Sequence, residues 1–156
     1  MPITPLHLAA ALPVKQAMKN KFSLGAFIAV NVMIDLEPAA VMFFGMDKLG
    51  YNLHGIMHTL LGTTVAFVLV ALFEWQWRWF AGAAFGAYSH LFMDALVHTD
   101  VQPFAPLLHG NPLYMGWMEP LSLVCLVVLA WFWIPWLFVA VRKVMNSRHN
   151  AISKQD

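Results

Sequence analysis

The sequence has few charged residues. Only 11% of its 156 residues are Asp, Glu, Lys or Arg, whereas a soluble domain carries about a quarter. Hydrophobic residues make up 60%, so the polar surface is too small to cover a water-soluble domain. We therefore predict that a lipid bilayer is its main solvent. The net charge of +1 gives no reason to expect nucleic-acid binding.

Cysteine is almost absent. Cys125 is the single example and lies in an apolar run, which excludes an internal disulfide and a cysteine-rich zinc cage. The stretch MPITPLHLAAALPVK has no basic residue ahead of its apolar part, so we do not expect a cleaved signal peptide. Because no repeat or linker divides the chain, we expect one integral-membrane domain over residues 1–156.

Four segments are long and apolar. A membrane-crossing helix needs about 20 mainly apolar residues, and the segments lie at residues 23–44, 54–73, 79–98 and 120–141. The predicted fold is an all-α membrane protein, a four-helix transmembrane bundle. The N-terminal stretch TPLHLAAALP is too short to cross. It fits either an interfacial helix or a half-membrane helix that starts in the protein interior and emerges at Lys15.

Basic residues predict the orientation. They precede the first span and follow the last, only one lies in loop 45–53, and loop 99–119 has none. Because cytoplasmic loops are enriched in Lys and Arg, both termini are expected on the cytoplasmic side of a bacterial-type inner (plasma) membrane. Those before the first span are Lys15, Lys19 and Lys21, those after the last are Arg142, Lys143, Arg148 and Lys154, and the one in loop 45–53 is Lys48.

Two of the predicted spans carry ionisable side chains at helical spacing. A central ionisable residue costs about 2.5–3.5 kcal/mol on insertion scales. His54 and His58 are four residues apart, as are His90, Asp94 and His98. Positions i and i+4 share one face of a helix, so each group is predicted to form a polar stripe.

The first span contains two carboxylates. Asp35 and Glu37 are two residues apart and would diverge on an ideal helix. Pro38 disfavours the helical conformation at Glu37 and removes a backbone donor, so we expect a local break that turns both carboxylates inward. With cytoplasmic termini, all these side chains converge near the non-cytoplasmic side of the membrane.

The combination points to a metal site. A single histidine in an apolar helix is ordinarily a hydrogen-bonded core residue, but two spaced groups and two further carboxylates at one depth favour a shared ligand. Imidazole and carboxylate suit Zn²⁺, and also Mn²⁺ or Fe²⁺. We expect one or two divalent ions, zinc first among them. His98 and Asp100 are placed to extend the site at its mouth.

Four motifs recur in the order of a known family. They are TPLH near the start, IDLEP in the first span, HGIMHTLLG in the second and GAYSHLFMDALVHTD in the third. Over about residues 3–106 the chain resembles the YdjM-like family of inner-membrane proteins, to which metal-dependent hydrolysis is ascribed. Its pattern is T-x-x-H, P-D-x-D, H-R-G-x-T-H-S and S-H-x-x-x-D. The resemblance implies a metal site formed by His7, Asp35, Glu37, His54, His58, His90 and Asp94.

The chain departs from the family pattern at two places. The P-D-x-D motif reads Ile34-Asp35-Leu36-Glu37, and the H-R-G motif reads Leu53-His54-Gly55, without the arginine that could hold a phosphate. The H-x-x-x-D pair is also similar to that of zinc phospholipases C and P1-type nucleases. Their more distal His/Glu pair has no counterpart here, which implies one or two ions rather than three.

These residues predict a membrane-embedded, metal-dependent hydrolase. A metal with an open position lowers the pKa of bound water toward about 7, and the substrate is expected to be a lipid or another amphipathic ester or phosphoester. We expect His7, Asp35, His54, His90 and Asp94 to be ligands. Glu37 and His58 are the candidates for orienting group, bridging ligand or general base.

Two other functions fit the same residues. Chains of His and Asp form metal-ion or proton pathways in transporters. Histidines in a four-helix membrane bundle can also bind haem through two imidazoles, and His58 and His90 would be the axial pair. The sequence leaves the oligomeric state open.

Overall fold

The part of the chain that the structure, a computed structural model, describes is mainly helical. That part comprises residues 4–46 and 53–152. It contains five α-helices and two short 3₁₀ turns and no strand, which confirms the all-α prediction for these residues. Lys48 and Lys154, used above to predict the orientation, lie outside the described residues.

The helices differ widely in length. The α-helices are α1 (Thr4–Met18), α2 (Leu24–Phe43), α3 (Leu60–Ala71), α4 (Trp77–Val97) and α5 (Met118–Ile152), and the 3₁₀ turns are Lys19–Lys21 and Ile56–His58. By length and composition, α2 and the Met118–Val139 part of α5 are able to cross a membrane. The predicted second span is helical in α3 over only 12 residues, or about 18 Å.

Helix α4 is the centre of the structure and packs closely on α2. A Cβ atom added at Gly82 would overlap the carbonyl oxygen of Ser23, and one at Gly86 would lie 2.6 Å from Val30 Cγ1. Small residues permit such close approach of helices. The core that results joins α2, α3 and α4 through Ala26, Val30, Ile34, Ala66, Val70, Ala83 and Ala87.

Helix α1 starts in the protein interior. His7 in its first turns is 1% exposed, while Lys15 near its end donates to the carbonyls of Lys19 and Phe22. Ala9 packs with Cys125 of α5. Fifteen residues span about 22 Å, so α1 is too short to cross a bilayer. Of the two predicted arrangements, the burial of His7 favours the helix that begins inside.

Two local predictions were wrong. Helix α2 continues through Pro38 without a break. His54 and His58 do not share an α-helical stripe, because α3 begins only at Leu60. The reason is a cap: Thr59 is extended and its hydroxyl accepts the N–H of Gly62 at 3.0 Å. The chain before this N-cap forms a bend and the Ile56–His58 turn instead.

Candidate metal centre

The centre of the site lies on α4. His90 and Asp94, four residues apart, are 0% and 3% exposed, and His90 Nε2 lies 3.0 Å from Asp94 Oδ2. Helix α2 brings Asp35 Oδ1 to 3.4 Å from the same nitrogen. The close packing of α2 on α4 at Gly86 thus places two carboxylates beside one imidazole.

Two further imidazoles contact Asp94 from other segments. His7 of α1 places Nε2 at 3.4 Å from Asp94 Oδ1, and its ring stacks on His90 with centroids 4.2 Å apart. His58, in the 3₁₀ turn, places Nε2 at 3.4 Å from Asp94 Oδ2. One buried carboxylate is therefore surrounded by three imidazoles that come from three segments of the chain.

These contacts are close without being hydrogen bonds. Among the described residues, seven buried side-chain atoms lack a hydrogen-bond partner: His7 Nδ1 and Nε2, His58 Nδ1 and Nε2, His90 Nε2, Asp94 Oδ1 and His98 Nε2. Buried polar atoms are normally paired. Tetrahedral zinc with bonds of about 2.0–2.1 Å separates its ligand atoms by about 3.3–3.4 Å. Three of the contacts, each of 3.4 Å, match that separation, and the fourth, between His90 Nε2 and Asp94 Oδ2, is shorter at 3.0 Å, so the donors fit a divalent cation.

Asn31 orients His90. Its Nδ2 donates to the carbonyl of Phe27 at 2.7 Å, so its Oδ1 faces His90 Nδ1 at 2.8 Å. The amide oxygen can only accept, which places the His90 proton on Nδ1 and leaves the lone pair on Nε2 for a ligand. Such outer hydrogen bonds are typical of metal-binding histidines. The sequence analysis missed Asn31, although it precedes Asp35 by one helical turn.

Glu37 positions the turn that carries His58. Its Oε1 accepts the N–H of Ile56 at 2.9 Å and its Oε2 accepts the N–H of Met57 at 2.8 Å. His58 Nδ1 lies 3.8 Å from Oε2. A Cβ atom at Gly55 would lie 2.5 Å from Oε1, so the glycine permits this approach. Both oxygens of Glu37 are thus used in holding the turn.

A second group of donors lies at the end of α4. His54 Nδ1 is 2.8 Å from Asp100 Oδ2, and the rings of His54 and His98 are 4.5 Å apart. His54 also contacts His58, with ring centroids 4.8 Å apart. His54 therefore belongs to this outer group, which also contains His98 and Asp100, and borders the inner cluster of His7, His58, His90 and Asp94.

Within the described residues, four triads have ligand atoms that all lie within 4.8 Å of one another. They are His7–His90–Asp94, Asp35–His58–His90, His54–His58–Asp94 and His54–His98–Asp100. Every residue predicted as a metal ligand occurs in at least one triad. The two residues predicted to be catalytic differ: His58 occurs in two triads, whereas Glu37 occurs in none.

The basic side chains of α1 and α4 are used elsewhere. Lys15 donates to two backbone carbonyls, and Arg78 pairs with Glu74 at 3.1 Å. Helix α2 contains neither lysine nor arginine. Protonated imidazoles or a bound cation are the remaining charges that can neutralise Asp94 within the described cluster.

Comparison with family models, with curated proteins and with solved structures finds no match for this chain. The function is therefore inferred from the chemistry of the side chains and from the motifs of the sequence.

Proposed function

We propose that the protein is a membrane-embedded, metal-dependent hydrolase that acts on a lipid or another amphipathic ester or phosphoester. The observation that carries this proposal is the set of buried imidazole and carboxylate atoms that approach one another to 3.0–3.4 Å without forming hydrogen bonds. A divalent ion at such donors supplies hydroxide near neutral pH and polarises an ester or phosphoryl oxygen. The motif resemblance to the YdjM-like family points the same way.

The proposed roles follow the contacts of each side chain. His7, His90 and Asp94 form the triad that holds the inner ion. His58 borders this triad, because its Nε2 approaches the same carboxylate oxygen as His90 Nε2. Glu37 is a positioning residue, since it binds the backbone of the His58 turn.

The other two predicted ligands, Asp35 and His54, lie at the edge of the cluster. Asp35 has a side chain that is 23% exposed, so it is the carboxylate that can pass a proton outward. His54 connects the inner ion to the outer group.

We further propose four membrane crossings, with the site toward the non-cytoplasmic side. Because α3 alone spans only about 18 Å, its crossing includes the bend and the Ile56–His58 turn that precede it. The spans of α2 and α5 support this arrangement. Helix α3 exposes several large apolar side chains, among them Leu61, Val65 and Leu69, and large exposed apolar surfaces favour contact with lipid. The arrangement places Trp75 and Trp77 in the opposite interface, where aromatic belts occur.

The geometry disfavours the two alternatives. A transport pathway would have to continue through the bundle, but the helices beyond the cluster are joined by a core of fully buried alanine, valine and isoleucine. Haem would need space between the imidazoles of His58 and His90. That space is taken, because Asp94 Oδ2 contacts both His58 Nε2 and His90 Nε2.

The test is turnover by the purified protein in detergent. A panel of chromogenic carboxylic esters, phosphomonoesters and phosphodiesters with short and long acyl chains should include a substrate. Hydrolysis should stop with 1,10-phenanthroline, continue with the non-chelating 1,7 isomer and be absent from His90→Ala. Absence of turnover across the panel, together with metal uptake into sealed vesicles that contain the protein, would replace this proposal by the transport function.

A further inference from the structure

Two donors, His98 and Asp100, have no role in holding the inner ion, and with His54 they form a separate group. His54, His98 and Asp100 offer ligand atoms within 4.8 Å of one another, at the point where α4 ends. A hydrogen bond from His54 to Asp100 accounts for the 2.8 Å contact between them. It does not account for His98, whose Nε2 is buried and has no partner although the ring lies beside His54.

The backbone around His98 is fixed. The amide of Asn111 donates to the carbonyls of Ala95 and His98, both at 2.7 Å, and the N–H of His98 donates to Asp94 O at 2.9 Å. These bonds hold the end of α4, so the imidazole is placed by the fold rather than by chance. Preorganised donors of this kind favour ion binding because little ordering remains to be done.

Asp100 provides the negative charge. The side chain of Asp100 is 42% exposed, so the group reaches the surface of the protein. An ionised carboxylate beside two imidazoles is a donor set that zinc and similar divalent ions accept.

A cleft of about 370 Å³ adjoins this group. Its lining includes His54, Ile56, Leu61, Gln102 and Pro106. The walls are mainly apolar, and His54 is the one lining residue that belongs to a triad of donors. An ion at the outer group would therefore have coordination positions open toward a space that accepts an apolar chain.

We propose that His54, His98 and Asp100 form a second divalent-cation site, distinct from the inner ion, which faces the cleft and binds the anionic oxygen of an amphipathic carboxylate or phosphate. The ion takes the place of the proton between His54 and Asp100, and His98 Nε2 supplies the third ligand. The cation site requires no hydrolysis, whereas its role toward a substrate rests on the proposed function.

The test counts ions. Metal-free protein in detergent is titrated with Zn²⁺ against a chromogenic chelator, for wild type, His98→Ala, Asp100→Asn and the control His109→Ala, a histidine of the same loop. We expect His98→Ala to bind one ion fewer than wild type, or to bind its outer ion at least about tenfold more weakly. His109→Ala should match wild type.

Asp100→Asn separates the two explanations of the short contact. Its amide oxygen can still accept the proton of His54, but it is a poor zinc ligand, so it too should lose the outer ion. If His98→Ala and Asp100→Asn both bind as many ions as wild type with unchanged affinity, the outer site is refuted and the pair is an ordinary hydrogen bond. Loss of one ion in a protein that hydrolyses no ester would support the outer site and refute the proposed function.

Discussion

Asn31 offers the sharpest single perturbation of the inner site. It is 1% exposed and touches no proposed ion; its Oδ1 accepts from His90 Nδ1 at 2.8 Å. Asn31→Leu keeps the volume and removes the acceptor, so the His90 proton is no longer held on Nδ1. Loss of such an orienting bond costs about 10- to 100-fold in metal affinity, or ~1.4–2.7 kcal/mol at ~1.4 kcal/mol per tenfold.

The assay is a competitive zinc titration in detergent, paired with thermal unfolding of the metal-free protein. Asn31→Asp retains an acceptor oxygen and should stay closer to wild type than Asn31→Leu. Ser89→Ala is the matched control, because Ser89 precedes His90 and its hydroxyl turns back to Gly86 O at 3.4 Å. An unchanged zinc affinity in correctly folded Asn31→Leu would refute the claim that Asn31 orients a ligand.

Three further perturbations test the packing, the turn and the ion. Gly82→Ala should destabilise the protein by about 1–3 kcal/mol through overpacking against Ser23. Gly25→Ala should not, because a Cβ atom added there would lie 3.7 Å from its nearest neighbour. Thermal unfolding of both variants measures the difference. Glu37→Gln keeps one of two acceptors for the turn, so zinc titration should give a weaker Kd and turnover should persist at saturating zinc. Zinc at roughly a hundredfold its Kd should stabilise the metal-free protein by about 2.7 kcal/mol in denaturant titrations.

Each of these has a contrary outcome. Equal unfolding temperatures for the two glycine variants would contradict the close approach of α2 and α4. Abolished turnover in Glu37→Gln with unchanged zinc affinity would make Glu37 the proton acceptor instead of a positioning residue. A free energy of unfolding that is the same with and without zinc would mean that the folded protein binds no ion.

Two members of the predicted stripe on α4, His90 and Asp94, could be predicted from the sequence because their contact depends only on helical geometry. The third, His98, is the extended residue after α4 and lies beside His54 instead. His90 and Asp94 lie one turn apart in any α-helix, and the structure places them in contact at 3.0 Å. The approach of Asp35 was expected for the wrong reason. No break occurs at Pro38; the two carboxylates diverge, and Asp35 reaches α4 while Glu37 reaches the His58 turn.

The turn at residues 54–59 and the role of Asn31 depend on tertiary contacts, which the spacing of residues along the sequence does not encode. The segment 54–59 is apolar enough to be read as helix, but the cap at Thr59 and the bonds from Ile56 and Met57 to Glu37 compete successfully with helical hydrogen bonds. Asn31 escaped notice because a single amide in an apolar helix has many uses. Its spacing from Asp35 was the available signal.

The metal content of the protein, purified in detergent without added metal, tests the central claim most directly. Elemental analysis of wild type and His90→Ala, before and after incubation with zinc and removal of the excess, is sufficient. The account predicts at least one divalent transition metal per wild-type chain and a clear loss in His90→Ala. Wild-type protein that stays below about a tenth of an equivalent even after incubation with zinc would contradict it, because buried deprotonated ligands bind such ions tightly.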